Sequence, residues 1–168
     1  MKTNRLRQFI REAIEENVKA CPAPTQDLEL NTANRNRAIK ADFIKYGPLN
    51  LSDEGYWEEY AKKWGPTTSA EEAKKSNCSN CVAFDISPRM EACMPGATDE
   101  DGRLGYCWMH HFKCHSARTC YTWAAGGPIK DDEASHDWQK RNLKAALDKE
   151  PIEAIEENVI KVLKTIKK

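Results

Sequence analysis

Apolar residues recur at three- and four-residue intervals at both ends of the chain, and the pattern breaks down in between. Leu6, Phe9, Ile10, Ala13, Ile14 and Val18 share one side of a helix expected over residues 4–19. Cys21-Pro22-Ala23-Pro24 closes it, because proline cannot continue the amide ladder. At the other end Pro151 stands at a first helical position, and Ile152, Ile155, Val159, Val162 and Ile166 repeat, with Leu163 widening the stripe. That face requires a partner, another subunit as readily as its own body.

The interior gives shorter signals. Residues 25–36 are polar and unperiodic, which predicts a linker or an arm laid on a surface, with a short helix around 35–43 and a turn at Tyr46-Gly47-Pro48. Ser52-Asp53-Glu54 opens a helix that brings Tyr56, Trp57, Tyr60, Ala61 and Trp64 to one face before Gly65-Pro66 stops it. A second start at Thr68 or Ser69 leads into acids and then lysines, the order the helix dipole favours, and ends near Ser76. Residues 77–128 hold turn residues and no long periodic stretch, while 134–146 is weakly helical around Trp138 and Leu143. The fold class this predicts is small α plus irregular: a loop-dominated, cysteine-rich module with little regular secondary structure, flanked by amphipathic helices. Its segments are an N-terminal helix and arm (1–50), the module with its leading helices (51–129) and a helical tail (130–168).

Composition narrows the function classes. A chain of 168 residues can bury a core without covalent staples, so its seven cysteines have another reason to be there. Its 26 basic and 26 acidic residues leave no net charge to steer it toward nucleic acid or an anionic membrane. No apolar run approaches the roughly 18 residues of a spanning helix, and the start mixes charge with apolar positions instead of forming an uncharged signal core. The expectation is a soluble, non-exported protein whose reducing surroundings favour thiolates and metal over disulfides, although a particle that later leaves its cell can oxidise spare pairs.

Six cysteines fall between 78 and 120, the first four as Cys78-x2-Cys81-x11-Cys93-x13-Cys107. Four thiolates hold a metal centre. Structural zinc usually draws on two tight pairs and only the first pair is tight here, whereas Phe84, Tyr106, Trp108, Phe112, Tyr121 and Trp123, with Met90, Met94 and Met109, supply the apolar shell that tunes an iron–sulfur cluster. A mixed zinc site from Cys78, Cys81, Cys107 or Cys114 and one of His110, His111 and His115 competes with it. Cys114 and Cys120, with five residues between them, close a small disulfide loop, stay free, or replace an assigned ligand. Cys21 stands alone, as a buried free thiol or an intermolecular bond. Arg89 and Arg118 pair with Asp85 or another acid, or brace a loop through carbonyl groups. No paired carboxylates, nucleophile elbow or phosphate loop points to an enzyme. A thioredoxin-like role for Cys78-x2-Cys81 lacks the preceding strand and the long following helix.

The sequences CSNCVAF, CMPG and GYCWMHHF resemble the high-potential iron–sulfur protein family over residues 76–112. The resemblance implies one [4Fe–4S] cluster on Cys78, Cys81, Cys93 and Cys107, a turn at Pro95-Gly96 after the third ligand, Gly105-Tyr106 ahead of the fourth, and pocket aromatics Phe84, Tyr106, Trp108 and Phe112. Long charged flanks, no export signal and three further cysteines depart from that family. The stretches IKYGPLN, WEEYAKKW, EEAKKSNCSNCVAFDISPRMEAC and YCWMHHFKCHSARTCYTWAAGGPI resemble proteins of bacteriophages that infect marine and related bacteria. That likeness implies a virion component, made in the host cytoplasm, with other virion proteins and copies of itself as partners. The expected function is a phage structural and interaction protein stabilised by the cluster. The alternatives are a high-potential-type electron carrier and a zinc-stabilised protein-binding module.

Overall fold

A computed structural model describes residues 19–95 and 98–147, together with Gln8, Glu12 and Glu16. The chain divides into two compact units, Cys21–Ser135 and the terminal stretches Met1–Ala20 with His136–Lys168. In the terminal unit Gln8, Glu12, Glu16 and Lys19 are helical, and the Gln8 amide donates to the Glu12 carboxylate. The apolar positions that predict the first helix, and the whole expected helix from Pro151, lie outside the described residues. No described helix is long and apolar enough to cross a membrane.

The unit 21–135 is α plus β. Helices α1 (Ala23–Gln26) and α2 (Leu28–Lys40) occupy the stretch expected to be a linker. The difference has a local cause: Asp27 caps α2 by accepting from the Leu30 amide, Glu29 sits in its first turn, and Arg37 and Lys40 sit in its last. Polarity hid it, because its buried face is Asn31, Asn34 and Ala38 instead of an apolar stripe.

Helix α3 (Glu54–Trp64) runs as its pattern predicts, capped by Asp53 and stopped at Gly65, whose φ of 137° suits a residue without a Cβ. Its Trp57, Tyr60 and Ala61 pack with Ala73 of α4 (Ala70–Ala73), and Tyr121 closes the cluster, stacked on Tyr60 with the rings 3° from parallel. Each such buried aromatic contributes about 2–3 kcal/mol through area removed from water.

Residues 77–128 contain a sheet where irregular chain was expected. Strand β3 (Gly102–Cys107) is central: β1 (Phe84–Asp85) pairs with it as Phe84↔Cys107, β4 (Phe112–His115) as Gly105↔Cys114, and β2 (Thr98–Asp99) extends it as a hairpin. All pairs are antiparallel. The strands are too short for alternation to stand out, and both faces of β3 are covered toward its C-terminal end, which removes the period-2 signal. Helix α5 (Pro88–Cys93) follows β1, and α6 (Asp132–Leu147) begins at the end of this unit.

Candidate metal centre

The Cys78-Ser-Asn-Cys81 loop is a single 3-10 turn whose shape is set by two asparagines. Asn77 Oδ1 accepts from the Ser79 amide, Asn80 Oδ1 accepts from the Asn77 amide, and the Trp123 indole donates to both Asn77 O and Asn80 Oδ1 at 2.9 Å. The Cys78 and Ser79 amides donate to the carbonyls of Arg118 and Ser116, fastening the turn to the chain that leaves β4. On the far side Gly127 lies so close that a Cβ there would stand 1.8 Å from the Cys81 carbonyl oxygen.

This fastening places Cys78 beside the sheet thiols. Cys107 and Cys114 are diagonal neighbours on one face of the β3–β4 ladder, since Gly105 stands directly opposite Cys114. Cys114, Cys81 and Cys120 each lie within electrostatic reach of Cys78 and Cys107. All five are buried free thiols. Cys120 faces a separate pair of groups, Thr122 Oγ1 at 3.2 Å and His110 Nε2 at 4.0 Å.

Two expectations from the spacing are corrected. Cys93, expected as the third ligand, is bonded to Cys21 across 72 residues, and Cys114 and Cys120, for which a local disulfide was one of three readings, are both free. Cys93 ends α5 and Cys21 enters α1, where the Gln26 side chain also donates to the Cys93 carbonyl. Cys114 lies within strand β4 and faces the nest, whereas Cys120 is turned to Thr122. Gly96 of the expected turn after Cys93 lies outside the described residues.

The four expected pocket aromatics are all buried, in different roles. Phe112 shares the face of Cys107 and Cys114 and meets Tyr46 edge-on at 4.8 Å. Tyr106 projects from the opposite face of β3 and packs edge-on against Trp108 at 4.8 Å. The Trp108 indole donates to Asp85 Oδ2 at 2.7 Å. Phe84 pairs opposite Cys107 on β1. Tyr46 and Tyr60, outside the span of the resemblance, also border the thiols: Tyr46 is near Cys114 and Cys78, and the Tyr60 hydroxyl donates to the Cys120 carbonyl. Aromatic spacing on α3 is the signal for Tyr60, and nothing in the sequence links Tyr46 to the nest.

Electrostatics follow from burial. Desolvation pushes the Cys81 thiol up, Cys114 well up and Cys120 up to about 12, while the neighbouring Cys114 thiol pulls Cys107 down. One thiolate therefore forms most readily at Cys107, and a second beside it is opposed by the first. A cation would relieve that opposition, replacing protons with coordination. Burial lowers His110 to about 4, so its imidazole is neutral at ordinary pH and shares a 2.6 Å hydrogen bond with Thr122. His115 instead contacts the Asp99 carboxylate at 3.2 Å.

Among the described residues no group of three or more histidine, cysteine, aspartate or glutamate side chains is arranged to hold a metal ion. The thiols are neighbours without forming a closed coordination shell. Arg89, expected to pair with Asp85 or brace a loop, donates to Ser135 Oγ, and that hydroxyl donates in turn to Asp85. Arg118 lies over the Tyr46 ring and reaches the Leu49 carbonyl. No family model, curated protein or solved structure matches the chain.

Proposed function

We propose that the chain is a non-enzymatic structural and interaction protein, a component of a phage particle, whose cysteine-rich unit is organised by a thiolate-held [4Fe–4S] cluster. The observation that carries this reading is the gathering of five buried thiols from three separate stretches, the 78–81 turn, the β3–β4 ladder and the segment after it. Packing alone does not call for it, since buried thiols act as small hydrophobes wherever they fall. Bound there, the cluster supplies iron–thiolate bonds that join loops and short strands, so that metal binding adds to folding free energy. The side chains have to close by rotation around the metal, because the thiols do not already converge.

An interaction role is supported by the exposed apolar side chains Leu28, Phe43, Leu49 and Trp64, and the phage assignment by the sequence likeness described above. The electron-carrier reading draws on a different observation, the ring of Tyr46, Tyr60 and Phe112 around the nest. Elemental analysis of the purified chain separates these readings. Four irons with sulfide and a broad visible absorption are expected; one zinc per chain would replace the cluster with a structural ion, and neither metal would sink the metal reading. Mass spectrometry of purified particles is expected to find the chain at stoichiometric level. Its absence there, with fast reversible one-electron oxidation of the isolated protein, would favour the carrier.

A further inference from the structure

We infer that the Cys21–Cys93 disulfide is a redox-operated clasp on the α1 segment. Closed, it holds residues 21–26 against α5; reduced by a small soluble thiol, it lets them go while the rest of the unit 21–135 stays folded. The inference is independent of any metal, because neither cysteine is among the five free thiols.

The placement of the bond carries it. Cys21 leads into α1 and Cys93 is the last residue of α5. Helix α1 is a single turn of four residues, too short to hold itself. Its hydrogen bonds from Thr25 and the Asp27 amide turn back on Pro22 and Ala23, and the Gln26 side chain adds one to the Cys93 carbonyl at 3.1 Å. Pro24 and Thr25 are buried but remove little apolar area from water. Helix α2 is fastened separately: Asp27 caps it, and Asn31 and Asn34 bind the backbone of β4 and of the turn before it. Asp27, extended at φ −106° and ψ 107°, is therefore the pivot at which release stops.

Access selects this bond for exchange. Cys21 is half-buried, whereas Cys93 is 7% exposed and each free thiol 8% or less. An incoming thiolate therefore meets the Cys21 sulfur first. Its attack breaks the S–S bond and releases Cys93, which takes up the proton; a second thiol attacks the outer sulfur of the mixed disulfide and releases Cys21. Two small thiols become one small disulfide, and the protein gains two electrons and two protons. Run backwards with a small-molecule disulfide as oxidant, the same steps close the clasp, so its state follows the surroundings.

The test equilibrates the full chain in reduced or oxidised glutathione and reads cysteine state by peptide mapping and amide exchange by NMR. In oxidised buffer the Cys21–Cys93 peptide pair is expected; in reduced buffer it is lost, and the Thr25 and Asp27 amides exchange at least about tenfold faster while α2 and β4 stay protected. The five other cysteines are expected to react with alkylating reagent only after denaturation in both buffers. Cys21→Ser is expected to show the open pattern whichever buffer is used, with circular dichroism reporting whether it folds; should it not, the wild type in the two buffers still decides. A bond that survives reduced glutathione until the chain is denatured overturns the clasp. So does a reduced chain in which Thr25 and Asp27 keep their protection, and so does one in which α2 and β4 lose theirs as well, which would make the bond a staple of the whole unit.

Discussion

Asp85 is fully buried, yet its carboxylate collects the Ser87 amide at 2.9 Å, the Trp108 indole at 2.7 Å and the Ser135 hydroxyl. Three donors converge on one acid, so removing it takes a buried acceptor from each of them. Asp85→Ala is expected to cost about 3 kcal/mol or more, seen as a lower midpoint in denaturant unfolding. A midpoint within error of wild type would show that the network relaxes without loss. The sequence made Asp85 legible only as an acid for an arginine to pair with. Its partners come from the residue just before α5, the turn after β3 and the start of α6, and no spacing rule joins residues 85, 108 and 135. The cysteines tell the same story at this scale: Cys78-x2-Cys81 is a local feature and was legible, whereas the Cys21–Cys93 bond is a meeting of elements 72 residues apart, for which sequence offers no pairing rule.

Elements differ in how openly they announce themselves. Helix α3 carries a cap, an aromatic face, lysines in its last turn and a glycine stop, and each signal agrees with the others. Helix α2 has a cap and a dipole-favoured charge order but no apolar stripe, because it docks by hydrogen bonds. Asn31 Oδ1 accepts from the Lys113 amide at 2.8 Å and Asn34 Nδ2 donates to the His111 carbonyl at 2.7 Å, so two asparagines satisfy backbone groups of β4 and the turn before it. Tyr46 completes the cover by accepting from the His115 amide. An exposed strand edge invites pairing with another chain, and here a helix and a tyrosine block it. Asn34→Ala is expected to cost about 1–3 kcal/mol, with faster amide exchange confined to α2 and β4. Equal exchange rates in those elements would show the contact to be idle.

At the scale of the unit 21–135, the disulfide closes a loop of 72 residues that spans α1 through α5. Cross-linking so distant a pair restricts the unfolded chain strongly, and the chain-entropy relation gives about 4 kcal/mol. Cys21→Ser is therefore expected to lower unfolding stability by that order in the absence of reductant, and reduction of the wild type to move it the same way. An unchanged unfolding curve would show that the bond adds nothing to the folded unit. Disulfide and thiol nest act on different parts of the fold: one ties the polar arm to α5, and the other lies between the 3-10 turn and the β3–β4 ladder.

By itself the sequence determined the local features: the caps and stops of α3 and α4, the tight cysteine turn, and the concentration of thiols and aromatics in one stretch. Each depends on residues within a few positions of one another, where backbone propensity and capping act. Only the tertiary structure decided that 77–128 holds a sheet, that polar residues 28–40 form a helix, and which cysteines share a site. Those outcomes rest on register and on contacts between distant segments. A thiol's role is set by which other thiol its strand or turn brings within reach, and linear spacing does not encode that.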